Sequence, residues 1–242
     1  MTELSLNMNI LAIDTTTQFL CLGILKQGKI FQLNEDLGRR HAELLIPHLR
    51  YLLKKARVSL DDIDYFACDI GPGSFTGIRI GLSAVKGLAY SFKKPVVGIS
   101  SLDILAHNVD GYSEGLVIPL IDAKRGLVYS AIYKIKKDKI IKTSPYMLVS
   151  PLTLFKKVKT KQRVYFLGDG IKNFYDLIIA KMGKDAKILN EDYWYPTAAK
   201  ILKIAQGLIK KKRSTDALKI KPLYLYPKEC QISKTYDPTP RL

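Results

Sequence analysis

The chain has 242 residues, 47% of them hydrophobic, with 39 Lys and Arg against 22 Asp and Glu for a formal net charge of +17. That length suits one large domain or two small ones, and no run approaches the roughly 18 apolar residues of a membrane-spanning helix. Three widely spaced cysteines, Cys21, Cys68 and Cys230, argue against a disulfide framework and a Cys-x-x-Cys site, so a reducing, cytoplasmic compartment is expected.

Met1–Asn7 carries an acid and no basic residue, which speaks against an export signal, and a start at Met8 would place the first strand at the N-terminus. Asn9–Ile13 reads as an apolar strand that ends in Asp14-Thr15-Thr16-Thr17. Two more strands follow at Phe19–Leu25 and Ile30–Leu33, with Gln27-Gly28 as the hairpin turn between them. A long helix is predicted over about Arg40–Ala56, then a buried strand at Asp64–Cys68. Next comes Asp69-Ile70-Gly71-Pro72-Gly73-Ser74-Phe75-Thr76-Gly77-Ile78-Arg79-Ile80-Gly81, a glycine-rich turn that opens a second helix. Phe75, Ile78, Leu82, Val85, Leu88 and Phe92 recur at helical spacing, and Ser74 is placed to cap the first free amides. Free amides at a helix N-terminus can hold a phosphate, but no Walker lysine follows, and the glycines are one residue too far apart for a dinucleotide fingerprint. A strand at Val96–Ile99 completes the order βββαβαβ.

Turn-rich Asp110–Glu114 marks a boundary between a lobe of residues 1–110 and one of residues 111–242. Strands at Leu116–Ile121 and Val128–Ile135 follow, then a helix at Leu152–Val158, a strand at Val164–Leu167, and helices at Ile171–Lys181 and Ala198–Lys212. The tail beyond Lys228, with Pro238 and Pro240, is expected to be loosely held. Charge is unevenly divided. Residues 1–110 hold 12 basic and 11 acidic side chains, and residues 111–242 hold 27 and 11. The basic half carries three clusters: Lys134, Lys136, Lys137 and Lys139; Lys156, Lys157, Lys159, Lys161 and Arg163; and Lys210, Lys211, Lys212 and Arg213. Such a field favours a polyanion and would give salt-dependent attraction to a nucleic acid.

The opening βββαβαβ order resembles half of the fold shared by ribonuclease H, actin and the sugar kinases, which implies an α/β protein of two such lobes, each a mixed sheet flanked by helices. In that fold the first hairpin grips nucleotide phosphate, and Asp14 occupies its acidic position. The matching position in the second lobe is Asp122, in Asp122-Ala123-Lys124-Arg125-Gly126. Ala123 and Lys124 there lack the glycine and hydroxyls that let a backbone approach phosphate, and Gly168-Asp169-Gly170 stands where an adenosine loop would be. Asp14 and Asp122 are therefore read as remnants of nucleotide hairpins. The alternative is a working ATP-dependent phosphotransferase in which Asp14 binds Mg²⁺-nucleotide.

The Ile13-Asp14-Thr15-Thr16 segment, His41-Ala42-Glu43-Leu44-Leu45-Ile46-Pro47, the glycine turn, Pro95–Leu102 and Leu120–Gly126 together resemble the TsaB (YeaZ) family. That family is the dimerisation subunit of the tRNA threonylcarbamoyladenosine machinery. A late echo lies in Pro222-Leu223-Tyr224-Leu225, with Tyr226 where the family commonly has arginine. The resemblance implies a paralogue of the catalytic transferase TsaD. The H-x-x-x-H metal pair of that enzyme is replaced here by Ser101 and Leu105, neither of which is a fit ligand. It implies a scaffold that pairs with TsaD or with itself, as a homodimer, through the first two helices, and helps recruit TsaE, with tRNA as the polyanion that the basic C-terminal lobe would meet. No resident cofactor is implied; an adenine nucleotide would be held at most weakly at the complex interface. On the first helix His41, Leu44, His48 and Tyr51 are expected to meet the partner. On the second, Gly77, Gly81, Ser83, Ala84 and Gly87 are expected to let its helix approach.

Overall fold

The computed structural model describes residues 8–137, 139–158 and 162–226. Expectations for Met1–Asn7, Lys159, Lys161, Cys230 and the tail lie outside those residues. Three antiparallel strands open the chain, β1 (Ile10–Asp14), β2 (Phe19–Lys26) and β3 (Lys29–Asp36), and every residue of β1 is buried. Two parallel strands, β4 (Tyr65–Asp69) and β5 (Val96–Ile99), extend the sheet to the order β3-β2-β1-β4-β5. This is the ribonuclease H/actin-like arrangement. Helices α1 (His41–Ala56) and α2 (Phe75–Ser91) cover one face, where Leu49, Leu52, Leu82 and Val85 meet Ile13 and Phe66 in one apolar cluster. Ser74 caps α2, its Oγ accepting the Gly77 amide at 3.1 Å.

A short helix that periodicity did not reveal, α3 (Ser101–Ala106), links the sheets; Ser100 caps it through a 3.3 Å bond from the Leu102 amide. The second sheet is built on β6 (Gly115–Asp122), which pairs with β7 (Val128–Ser130) at one end and β8 (Tyr133–Lys136) at the other. The single strand expected over Val128–Ile135 is thus two, because the chain leaves the ladder at Ala131-Ile132, where the Ile132 amide donates to Ser144 Oγ. Strands β9 (Lys139–Lys142), β10 (Met147–Val149), β11 (Val164–Leu167) and β12 (Ala186–Ile188) complete the sheet. Helices α4 (Pro151–Lys157) and α5 (Ile171–Met182) belong to the same lobe, with Leu154, Phe155, Ile171 and Ile178 in its core.

The last helix crosses the division at residue 110. Helix α6 (Ala198–Lys210) leaves the second lobe and packs on the open face of the first sheet, where Ile201, Leu202 and Ala205 cluster with Ile10, Ala12 and Val97. Gly23 makes this approach possible, since a Cβ there would lie 2.9 Å from Leu202 Cδ1 and 3.0 Å from Ala198 Cβ. The first lobe also caps the helix. Asn34 Oδ1 and Gln32 Oε1, both on β3, accept the Ala198 and Ala199 amides at 2.9 and 3.1 Å. Beyond α6, Thr215 bridges to Val96 through two 2.8 Å bonds, and Ala217 and Ile220 join the first lobe's core.

Candidate functional site

The carboxyl ends of β1 and β4 place two acids side by side at the mouth of the glycine turn. Asp14 Oδ1 accepts the Thr16 amide at 2.7 Å, and its Oδ2 is buried without a partner. Asp69 Oδ1 accepts the Gly71 amide and the Ser101 hydroxyl, each at 2.7 Å, while Oδ2 accepts Thr16 Oγ1 at 3.1 Å. Asp69, to which the sequence alone assigns no role, is therefore the hub that ties the hairpin, the glycine turn and α3 together. Its position directly before Ile70-Gly71 was the available signal. Both acids are fully enclosed, so Asp14 serves the turn rather than presenting a carboxylate to a nucleotide. Burial, and then the neighbouring Asp14, push the Asp69 carboxyl well above its ordinary range, and burial lifts Asp14 from 3.8 to about 6.

A pH dependence follows from that shift. Between about pH 4 and 6 the folded chain keeps a proton on Asp14 that the unfolded chain has lost, so stability falls as pH rises through this window. Asp14→Asn is expected to flatten that slope, by on the order of 2 kcal/mol across the window. Denaturant midpoints of both proteins at pH 4, 5, 6 and 7 check it; parallel pH curves would show that Asp14 does not titrate there.

Across the cleft, Asp122 is held by its own neighbour. Its Oδ2 lies 2.6 Å from Lys124 Nζ, Oδ1 accepts the Lys124 amide at 2.8 Å, and the Asp122 amide donates to Asp169 Oδ1 at 3.0 Å. Burial raises the Asp122 carboxyl, but the hydrogen bonds and charge of Lys124 outweigh it and hold the group below the usual range. The second hairpin is thus closed on itself. The Gly168-Asp169-Gly170 turn packs against β6, where a Cβ on Gly168 would meet Leu120 O at 2.3 Å. Between the hairpins runs a cleft of about 600 Å³, lined by Thr16, Thr17, Ser74, Asp122, Lys124 and Tyr195 among others. Beside it is a cavity of about 280 Å³ walled by Phe75, Tyr129, Tyr224 and Tyr226. Tyr226 crosses to the second hairpin, its hydroxyl donating to Ala123 O at 2.7 Å, so at the position commonly arginine it bridges the lobes.

At the two positions corresponding to the metal pair, Ser101 donates to Asp69 and Leu105 is buried in the second lobe's core. Neither a leucine nor a committed hydroxyl fits a divalent metal. Among the described residues no group of three or more His, Cys, Asp or Glu could hold a metal ion.

The helix faces differ from the expected ones. Gly77 and Gly81 point inward: a Cβ on Gly77 would stand 1.9 Å from Thr15 O, and one on Gly81 2.5 Å from Thr15 Oγ1. Thr15 Oγ1 in turn donates to Gly77 O at 2.6 Å, so these glycines seat α2 on β1 and are not available to a partner. His41 is also buried, at the first turn of α1. His48 is occupied within the lobe, its Nδ1 2.8 Å from Leu44 O and its Nε2 3.0 Å from Glu35 Oε2. Leu44 and Ala84 are half-buried against the core, and Phe75, expected in the apolar stripe, is 44% exposed under the Arg79 guanidinium. Outward stand Ile46 at 45%, Tyr51 at 58% and Gly87, whose Cβ position is open space. The basic clusters divide likewise. Lys134, Lys136 and Lys139 lie on the β8–β9 hairpin of the second lobe, whereas Lys210–Arg213 end α6 on the first.

Residues 34–233 match the family model described as TsaD, tRNA N6-adenosine threonylcarbamoyltransferase. The chain is 30% identical over 198 residues to the tRNA threonylcarbamoyladenosine biosynthesis protein TsaB of Buchnera aphidicola subsp. Schizaphis graminum, spanning 80% of this chain and 90% of the relative. Similarity to the protein of the same name in Bacillus subtilis is 34% over 163 residues, 66% of this chain and 71% of that one. Among solved structures, YeaZ from Pseudomonas aeruginosa superposes with a TM-score of 0.77 at 28% identity, covering 90% of this chain and all of that one.

Proposed function

The chain belongs to the TsaB family of tRNA threonylcarbamoyladenosine biosynthesis proteins, and from that premise we propose that it is a non-catalytic scaffold for threonylcarbamoylation of the anticodon-adjacent adenosine of tRNA. The observation that carries this reading is the fate of the metal positions: Ser101 is spent on Asp69, and Leu105 is core. The Lys124–Asp122 pair supports it, because it occupies both oxygens of the second hairpin's acid, which a phosphotransferase of this fold needs free for its nucleotide. The chain then works by shape. The outer faces of α1 and α2, with Ile46, Tyr51 and Gly87, receive the TsaD-type transferase or a second copy of the chain, and the pair recruits TsaE. The setting is the cytoplasm; no helix among the described residues is long and apolar enough to cross a membrane.

Reconstitution tests the reading. The purified chain alone is expected to carry no stoichiometric iron or zinc and to transfer no threonylcarbamoyl group to tRNA, and a TsaD-type partner is expected to need the chain for sustained transfer. Transfer by the chain alone, with TsaD absent, would make it an enzyme and sink the scaffold role.

A further inference from the structure

Strand β5 forms the edge of the first sheet, and its bridge to Thr215 brings together two basic segments far apart in sequence. One is Lys93-Lys94, just past α2; the other is Lys210–Arg213, at the end of α6. Between α2 and Thr215 lies a groove of about 630 Å³ lined by Tyr90, Ser91, Lys93, Lys94, Thr215 and Asp216 among others. Lys93, Lys211, Lys212, Arg213 and Lys219 are exposed, and Tyr90 is 63% exposed.

We propose that this end of the first lobe is a docking surface for the phosphodiester backbone of RNA, which rests on the reading of the chain as a tRNA-modification scaffold. Basic side chains outnumber acidic ones there. None of these cations forms an ion pair among the described residues, whereas Lys124, Lys172, Lys200 and Lys203 elsewhere all do. The nearby acids are few: Asp216 lines the groove, its Oδ1 accepting the Leu218 amide, and Lys94, whose Nζ donates to the Asp61 carbonyl at 3.2 Å, also acts through its charge on Asp62. The C-termini of α2 and α6 each carry about half a negative charge, which offsets one further cation in total and still leaves a positive surplus. Cations with hydroxyls along a groove fit phosphate and carry no base-edge readout. The surface also adjoins the exposed side of α2, so RNA held there lies at the edge of the proposed transferase face.

The test uses the full chain and an unmodified tRNA transcript, with binding followed across a salt series. Lys93→Glu/Lys212→Glu/Arg213→Glu is expected to weaken binding at least tenfold at low salt and to reduce the slope of log K against log salt by about two to three. Lys134→Glu/Lys136→Glu/Lys139→Glu changes the net charge equally on the second lobe and is expected to move the slope by less than one. Equal slopes for the two variants, or a wild-type slope in the first, overturn the proposal and return these residues to a solvated face. Tighter binding to phosphatidylserine vesicles than to tRNA, lost in the first variant, overturns it in favour of a membrane surface. Co-elution with a TsaD-type partner, measured in parallel, is expected in wild type and both variants. Its failure in wild type tells against the scaffold reading, while the tRNA slopes still decide the RNA surface.

Discussion

Gly77→Ala is expected to be among the most damaging single changes this chain can carry, although it adds one methyl group to a helix. The new Cβ would sit 1.9 Å from Thr15 O and 3.0 Å from Thr15 C. Ordinary contact at about 3.4 Å therefore requires α2 and β1 to separate by some 1.5 Å, the difference between 3.4 and 1.9. Neither side can yield cheaply. β1 is the central strand of the first sheet, wholly buried, and the atom in the way is backbone. Separation would also break the 2.6 Å bond from Thr15 Oγ1 to Gly77 O and loosen the Ser74 cap. The higher helix propensity of alanine returns only about 1 kcal/mol. A net loss of about 3 kcal/mol or more is expected, a fall of roughly 10 °C in the thermal midpoint of a chain this size. A midpoint within 2 °C of wild type would mean that the helix is not seated on Thr15. Gly81→Ala should be milder, because its neighbour is a hydroxyl that can rotate at the cost of one hydrogen bond, about 1 kcal/mol.

Gly87→Leu is expected to do the opposite: to leave the isolated chain intact and strongly weaken its association with a TsaD-type partner. A Cβ at Gly87 meets nothing within 4 Å, so the substitution costs no internal contact and improves helix propensity by a little under 1 kcal/mol. The midpoint should rise by a degree or two. On the proposed partner face, however, the leucine fills space that a facing backbone would occupy. Weakening of at least 30-fold is expected on a sizing column or by calorimetry, the effect typical of a central interface position. Ile46→Glu on α1 provides a second readout, since Ile46 is 45% exposed in the free chain and the new charge would be buried in the complex. If both variants associate at wild-type affinity, the outer faces of α1 and α2 do not meet the transferase.

These two glycines show what the sequence alone could and could not resolve. Apolar spacing located α2 and marked Ile78, Leu82 and Val85 as its core side, because burial of large side chains leaves a 3.6-residue imprint. Gly77 and Gly81 stand eight and four residues before Val85, in the i, i+4 row that flanks the stripe, whereas Gly87 lies on the opposite side. That row marks the inward pair, but the backbone they face, at Thr15, is 62 residues away from Gly77, and no local pattern records it. The same holds for His41, polar at the edge of an amphipathic helix yet buried. The helix α6 was legible as a helix, but an apolar stripe does not name the sheet it covers. Asn34 and Gln32, which cap it from β3, read only as polar residues of an exposed strand. The carboxylates were legible as residues in the right places. Their chemistry was not, because enclosure of Asp14 and capture of Asp122 by Lys124 are facts of packing.

The return of α6 to the first sheet also orders events in time. A nascent chain that has emerged only through β5 has both α1 and α2 to shelter one face of its sheet, while Ile10, Ala12, Val97 and Ile99 on the other face await residues a hundred positions downstream. At about 5–20 residues per second, synthesis alone leaves that surface uncovered for several seconds or more. During this interval the second lobe can condense around its own strands, but the first cannot finish. The half of the molecule made first is thus completed last, and a truncated product lacking α6 would present an apolar sheet face to chaperones and proteases.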